Sequence, residues 1–253
     1  QGEPVKERDK SSSVTVFQDL GIVLKEKGRK QKKRLWEYVA SQVWTGLLAR
    51  YKKETDININ APPPLSLYGE NGLVIETCGG ISTNKFHSAG YGRIETVNPL
   101  NPEGKTQAVY ALMFYVGALS KIKDSEGLVH SDFVPRHVLF DTGESALYVI
   151  DRQKSFQDYD ASKVESEHMK SALLNRVQSL NRQDRHRGVL SLDNMENMFQ
   201  EGYASIDGRN MLEDTLADIT AEFAALGSPL ELDMVNMRLN GLQLIKYDQK
   251  LIK

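Results

Sequence analysis

Apolar residues change their period several times along this chain, and the changes mark out its elements. "VTVFQDLGIVLKEK", from Val14 to Lys27, predicts two short strands around a turn near Asp19 to Gly21. From about Lys32 to Tyr51 the period becomes helical, with Trp36, Ala40, Val43, Trp44, Leu47, Leu48 and Tyr51 on one face. The prolines of "NAPPPLSLYGENGLVIETCGG" end that helix, and Glu70-Asn71-Gly72 reads as a turn joining strand-like "LSLY" and "LVIE". Gly79-Gly80 breaks the pattern again and predicts a hinge. Residues 81–104, rich in Gly, Asn and Pro, predict a loop-heavy connection with a short helix. Thr106 to Lys121 predicts a helix with Val109, Leu112, Met113, Val116 and Leu119 on one face. Two short strands follow, "HVLFD" and "ALYVID", then mainly helical sequence to about Leu226.

The order of strands, helix, strands, hinge and helical half predicts an α+β, two-lobed arrangement, a small β-rich N-lobe and a mainly helical C-lobe. The boundaries are a flexible lead-in over 1–13, an N-lobe over 14–80 with its hinge at 76–80, and a C-lobe over 81–228. A C-terminal extension, 229–253, is ambiguous between a helix and an Asn240-Gly241 hairpin.

Composition narrows the function classes. At 253 residues, 26% charged and 40% hydrophobic, the chain has ample material for a globular core. A net charge of -2 argues against a dedicated nucleic-acid binder. The exception is the basic run "KEKGRKQKKR", Lys25 to Arg34, which reads either as a solvated loop and helix start or as a contact for anionic lipid or phosphates. The single cysteine, Cys78, forms no intramolecular disulfide and points to a reducing compartment. No window approaches the apolar length of a membrane span.

The chemistry concentrates in "GLVHSDFVPRHVLFD", Gly127 to Asp141, and in "LYVIDRQKS" beyond it. Asp132 and Asp151 each follow an apolar run, and the stretch between them suits a β-hairpin that would return both acids to one edge. Two carboxylates there suggest a hard-cation site, since Mg2+ takes one or two carboxylates together with substrate phosphates. Asp132 is also a candidate base for a hydroxyl nucleophile. The plain alternative is a pair of turn-capping aspartates. His130 reads as a structural histidine bonded to backbone. His137 either orients a phosphate or bonds a carboxylate, because imidazole is a poorer Mg2+ partner than oxygen.

With its flanking strands, "H-S-D-F-V-P-R-H-V-L-F…V-I-D" resembles the catalytic loop and metal-binding aspartate of protein-kinase-like folds, H-R-D-x-x-x-x-N followed by D-F-G. The resemblance implies ATP and Mg2+ as cofactors, Asp132 as catalytic base, and Asp151 with His137 at the metal. It makes Lys25 of "GIVLKEK" the phosphate lysine, with Lys27 as the other register, and Glu37 its partner. The backbone from Glu76 to Cys78 would meet adenine. Two departures, His137 for Asn and Asp151-Arg152-Gln153 for Asp-Phe-Gly, are similar to the lipopolysaccharide core heptose kinases; aminoglycoside-phosphotransferase-like kinases come next, through "MFQEGY". That comparison implies a hydroxyl-bearing acceptor, a glycan or other small molecule, a cytoplasmic location and peripheral contact with the inner face of an anionic membrane. No G-x-G-x-x-G precedes Val14, which keeps a pseudokinase scaffold open beside an atypical protein kinase.

Overall fold

A computed structural model describes residues 5–9, 12–27, 31–68, 72–78, 81–82, 102–141, 143–152, 155–183 and 190–225. The expected hinge glycines Gly79 and Gly80, the extension 229–253 and Gln153 lie outside the described residues, as does nearly all of the connection before residue 102.

The chain opens with an antiparallel sheet. Its strands β1 (Val5–Asp9), β2 (Ser12–Phe17), β3 (Ile22–Lys27), β5 (Pro64–Tyr68) and β6 (Gly72–Glu76) run in the order β1-β2-β3-β6-β5. The lead-in expected over 1–13 is thus corrected: Val5 to Asp9 pair with Val16 to Ser12 in a hairpin. "VKERD" carries only one apolar residue, so it has no alternation to read, and its place comes from backbone pairing with β2.

Between β3 and β5 runs α1 (Gln31–Thr55), which buries Val39, Val43, Trp44, Leu47, Leu48 and Tyr51. The two-residue β4 (Ile59–Asn60) leaves the N-terminal sheet and pairs in parallel with β10 (Ala146–Val149). β10 in turn pairs antiparallel with β9 (Val138–Asp141), and β7 (Ile81–Ser82) closes the order β4-β10-β9-β7. This second sheet therefore draws strands from both halves of the chain.

The remainder is mainly helical: α2 (Pro102–Glu126), α3 (Tyr159–Gln183), α4 (Leu192–Ala204) and α5 (Leu212–Ala225). The long α3 accounts for much of the sequence expected to be mainly helical after the β9–β10 hairpin. Ser191 caps α4 by accepting the Asn194 N–H at 3.3 Å. α2 and α4 cross with backbones in contact. A Cβ on Gly117 would lie 2.0 Å from the Phe199 carbonyl oxygen, and one on Gly202 would lie 1.9 Å from that of Phe114. Both sites admit only glycine.

One apolar core joins α1, α2 and the β9–β10 hairpin through Trp44, Leu48, Leu112, Val116, Phe140 and Leu147. The far end of α1 is tied to the helical half. Tyr51 donates to the buried carboxylate of Glu126 at 2.6 Å, and Glu126 also accepts the N–H groups of Met211 (2.7 Å) and Leu212 (3.1 Å) at the start of α5. Ion pairs Arg50–Asp218 and Glu54–Arg209 flank that junction.

Candidate active site

Gly127, at φ +62°, ends α2 in the left-handed conformation that glycine adopts without strain, and β8 (Leu128–Val129) follows. The loop after β8 is tight. Val134 donates to the Asp132 carbonyl at 3.0 Å, and His137 to the Val134 carbonyl at 2.9 Å. Pro135 starts the single 3-10 turn that leads into β9. Ser131 (φ +63°) and Asp151 (φ +61°) hold left-handed backbone without being glycine. Such conformations cost roughly 1 kcal/mol or more each and persist where the surroundings hold them in place.

The predicted hairpin does bring the two aspartates together, with Ile150 donating to the His137 carbonyl at 2.9 Å. His137 is the bridge. Its Nδ1 donates to the Asp132 carbonyl at 2.9 Å, and its Nε2 lies 3.3 Å from Asp151 Oδ2. Arg136 Nε also donates to that Nε2, at 3.1 Å. A metal bound through the same nitrogen would have to displace Arg136. With Nδ1 donating to a main-chain carbonyl and Nε2 accepting from Arg136, the ring fixes the loop beside both acids rather than coordinating Mg2+, which favours oxygen.

Across the cleft, Lys25 Nζ on β3 lies 2.9 Å from Glu37 Oε1 on α1 and 3.1 Å from Asp151 Oδ1. Burial by itself lowers the Lys25 pKa, but Glu37 and Asp151 together outweigh it and hold the ammonium above its ordinary value. Glu37 is buried at 2% exposure, whereas Asp132 and Asp151 are open at 45% and 30%. Lys27 ends β3 opposite Ser12. Among the described residues no three His, Cys, Asp or Glu side chains gather into a metal cage. The donor set nevertheless fits Mg2+, because Asp132 and Asp151 offer accessible carboxylate oxygens, the ligand type that ion takes.

His130 is structural. Buried at 1% exposure, it donates through Nε2 to the Ile150 carbonyl at 2.8 Å, while its backbone N–H bonds Glu165 at 2.9 Å. Burial pushes its pKa down to about 3, so the ring stays neutral and fixes the loop to the strand before Asp151. Beneath it, Lys123 pairs with Glu165 at 2.8 Å and lies over the Phe133 ring.

At the expected hinge, Glu76 donates its N–H to the Pro63 carbonyl (3.0 Å) and Thr77 to that of Gly21 (2.8 Å). Those two amides are therefore spent inside the fold, and a base docking there would meet carbonyls or the Cys78 backbone. Burial pushes the Cys78 thiol up to about 11, which suits no nucleophile. Open cavities of about 780 and 610 Å³ lie between α1 and α5 and behind Glu76–Cys78; neither is lined by Lys25, Asp132 or Asp151.

Two basic residues complete the site. Arg136 donates through Nη2 to Asp132 Oδ2 at 2.8 Å, a contact the sequence reading misses although a cation one helical turn after a carboxylate is a usable signal. Arg152, which follows Asp151 where the resemblance would place Phe, is buried at 2% exposure and bonds the Pro62 carbonyl at 2.8 Å.

No protein-family model matches the chain, and no curated protein does. Several solved structures do. A Rio2 kinase from Chaetomium thermophilum, in an ADP/Mg2+-phosphoaspartate complex, aligns at 13% identity and TM-score 0.42, over 88% of this chain and 70% of that one. WaaP in complex with acyl carrier protein aligns at 16% identity and TM-score 0.43, over 89% of both chains. A choline/ethanolamine kinase family protein from Mesorhizobium loti aligns at 10% identity and TM-score 0.33, over 86% of this chain and 92% of that one. The chain itself is α+β, with an antiparallel sheet, a lysine–glutamate pair between β3 and α1, an acidic loop before the β9–β10 hairpin, and a mainly helical remainder.

Proposed function

We propose that the chain is an ATP-dependent phosphotransferase that moves the γ-phosphate to a hydroxyl of a glycan or other small molecule. The observation that carries this reading is Lys25 Nζ held between Glu37 and Asp151, with His137 lying between Asp132 and Asp151. In that role Lys25 neutralises phosphate charge and Glu37 keeps it oriented. Asp132 aligns the acceptor hydroxyl and takes its proton, and Arg136 steadies the Asp132 carboxylate. Asp151 is the residue that would hold Mg2+, which supplies charge neutralisation on the phosphates when bound. The backbone between Glu76 and Cys78 is the proposed adenine contact.

A small acceptor is favoured over a protein because little chain separates Asp151 from α3. After Asp151, β11 (Phe156–Gln157) pairs directly with β8, and α3 begins at Tyr159. That leaves no long segment on which a peptide could lie. A lipopolysaccharide core sugar is the finer proposal, supported by the H-x-D-x-x-x-x-H spacing of His130, Asp132 and His137 and by Asp151-Arg152-Gln153. It carries with it a cytoplasmic site at the inner face of a membrane, approached through the basic run from Lys25 to Arg34. No helix among the described residues is long and apolar enough to cross a membrane.

The scaffold alternative draws on two features: no G-x-G-x-x-G precedes Val14, and His137 stands where kinases carry Asn. A thermal-shift titration with ATP, with and without Mg2+, separates the two, because a ligand bound only by the native state raises the melting temperature. The phosphotransferase reading requires a Mg2+-dependent shift that Asp151→Asn loses. No shift in either protein selects the scaffold. Transfer of labelled phosphate to a sugar or to protein then decides the acceptor class.

A further inference from the structure

Arg152 is a charged side chain in an expensive place. It is 2% exposed, and only Nη2 finds an acceptor, the Pro62 carbonyl at 2.8 Å; among the described residues nothing bonds Nε or Nη1. Burial lowers its pKa to about 10 against the pull of Glu37, Cys78 and Asp151. Leaving buried donors unpaired is costly, and an apolar side chain of similar volume would avoid that cost. Packing alone therefore gives no reason for an arginine.

Its neighbour does. Asp151 holds a left-handed backbone at φ +61°, so something must keep it there. From the helical half, the His137 carbonyl accepts the Ile150 N–H at 2.9 Å. From the N-terminal half, Trp44 Nε1 donates to Ser155 Oγ at 2.7 Å, and Ser155 Oγ donates to the Arg152 carbonyl at 3.3 Å. The guanidinium contact with Pro62, between β4 and β5, is the direct tie from the residue after Asp151 to the N-terminal half.

We infer that Arg152 is a positioning residue: its bond to the Pro62 carbonyl latches the strained Asp151 turn to the N-terminal half and aims the Asp151 carboxylate into the cleft. An apolar residue at this place could pack but could not direct, because dispersion has no preferred angle and a guanidinium–carbonyl bond does. The consequence for metal and nucleotide rests on the phosphotransferase reading; the latch itself does not.

The test compares the full chain with Arg152→Met and Arg152→Lys. Three quantities are read: nucleotide-free melting temperature, amide exchange over residues 148–157, and Mg2+ titration at fixed ADP. Arg152→Met is expected to melt at the same temperature or higher, because it sheds a buried charge. Its amides around Ile150 should exchange roughly tenfold faster, and half-saturating Mg2+ should rise by about the same factor, as loss of one charged hydrogen bond implies. ADP binding without metal should stay within about twofold, and Arg152→Lys, still a donor, should recover part of both effects. Unchanged exchange in Arg152→Met overturns the latch. So does a lowered melting temperature with a wild-type Mg2+ titration, which would make Arg152 a packing residue. If the wild type shows no response to ADP, the phosphotransferase reading falls, and the exchange measurement still decides the latch.

Discussion

Two pairs of carboxylates in this molecule are built on opposite terms. Asp124 and Glu126, at the end of α2, are buried and fully accommodated. Asp124 accepts from Ser162 (3.0 Å), Ser166 (2.9 Å) and Tyr203 (3.1 Å), and Glu126 from Tyr51, Met211 and Leu212. Asp132, after β8, and Asp151, after the β9–β10 hairpin, are open to solvent, contacted by cations and a histidine, and set on or beside left-handed backbone. Hydroxyl and amide donors that converge on a buried acid finish its chemistry and leave it holding helices together. Charged partners around an exposed acid on strained backbone leave it able to exchange those partners for something else.

That contrast can be broken by experiment. The largest effect is expected at the open pair: Asp132→Asn or Asp151→Asn should lower turnover about a thousandfold or more. Urea midpoints should barely move, and a variant with wild-type activity would remove the proposed roles. At the closed pair the pattern should invert. Glu126→Ala strands the Met211 and Leu212 amides and leaves Tyr51 only the Arg209 carbonyl, so urea unfolding should show a loss of about 2 kcal/mol or more, while the protein that stays folded keeps its activity. Lys25→Met should come next, lowering turnover by roughly a hundredfold as one ion pair at the phosphates is lost. A large loss of stability there would instead class the lysine with the structural groups.

The smallest effect is a pH dependence. Burial raises the Glu126 pKa above its ordinary 4.5, against the opposing pull of Tyr51, Met211 and Leu212. A folded pKa above the unfolded one means that the native state binds more protons in between. Its contribution to stability is then complete below about 4.5 and is lost as pH rises through the raised value. Relative to Glu126→Gln, the wild type should therefore gain stability as pH falls from neutral toward that range, as chemical denaturation at a series of pH values would show. A difference independent of pH would mean that Glu126 titrates normally.

Much of this arrangement is written in short-range patterns. The alternation of Val14 to Lys27 and the helical period from Trp36 to Tyr51 appear as β2, β3 and α1 because each buries one face. The hairpin that joins Asp132 to Asp151 is visible because apolar runs bound both acids. Residues whose roles depend on distant partners are invisible by the same logic. "VKERD" becomes a strand only once β2 is beside it, and Ile59–Asn60 join a sheet whose other strands come much later in the chain. Arg152 looks like a solvent-seeking residue until Pro62 is found 2.8 Å away. The helical character after Ser155 is legible although α3 is largely polar, with Met169, Leu173 and Val177 as its few fully buried apolar positions.

The tie at the far end of α1 has a mechanical consequence. With Tyr51 bound to Glu126, and Arg50 and Glu54 paired to residues of and before α5, the helix is a beam clamped at one end to the helical half. Glu37 sits about 21 Å along that beam at 1.5 Å per residue. Its travel is set by how far a helix bends, since no free joint lies between clamp and tip. A lever of this kind is at rest with Glu37 against Lys25, so assembling the pair needs no prior event, and control over it would have to begin by loosening the clamp.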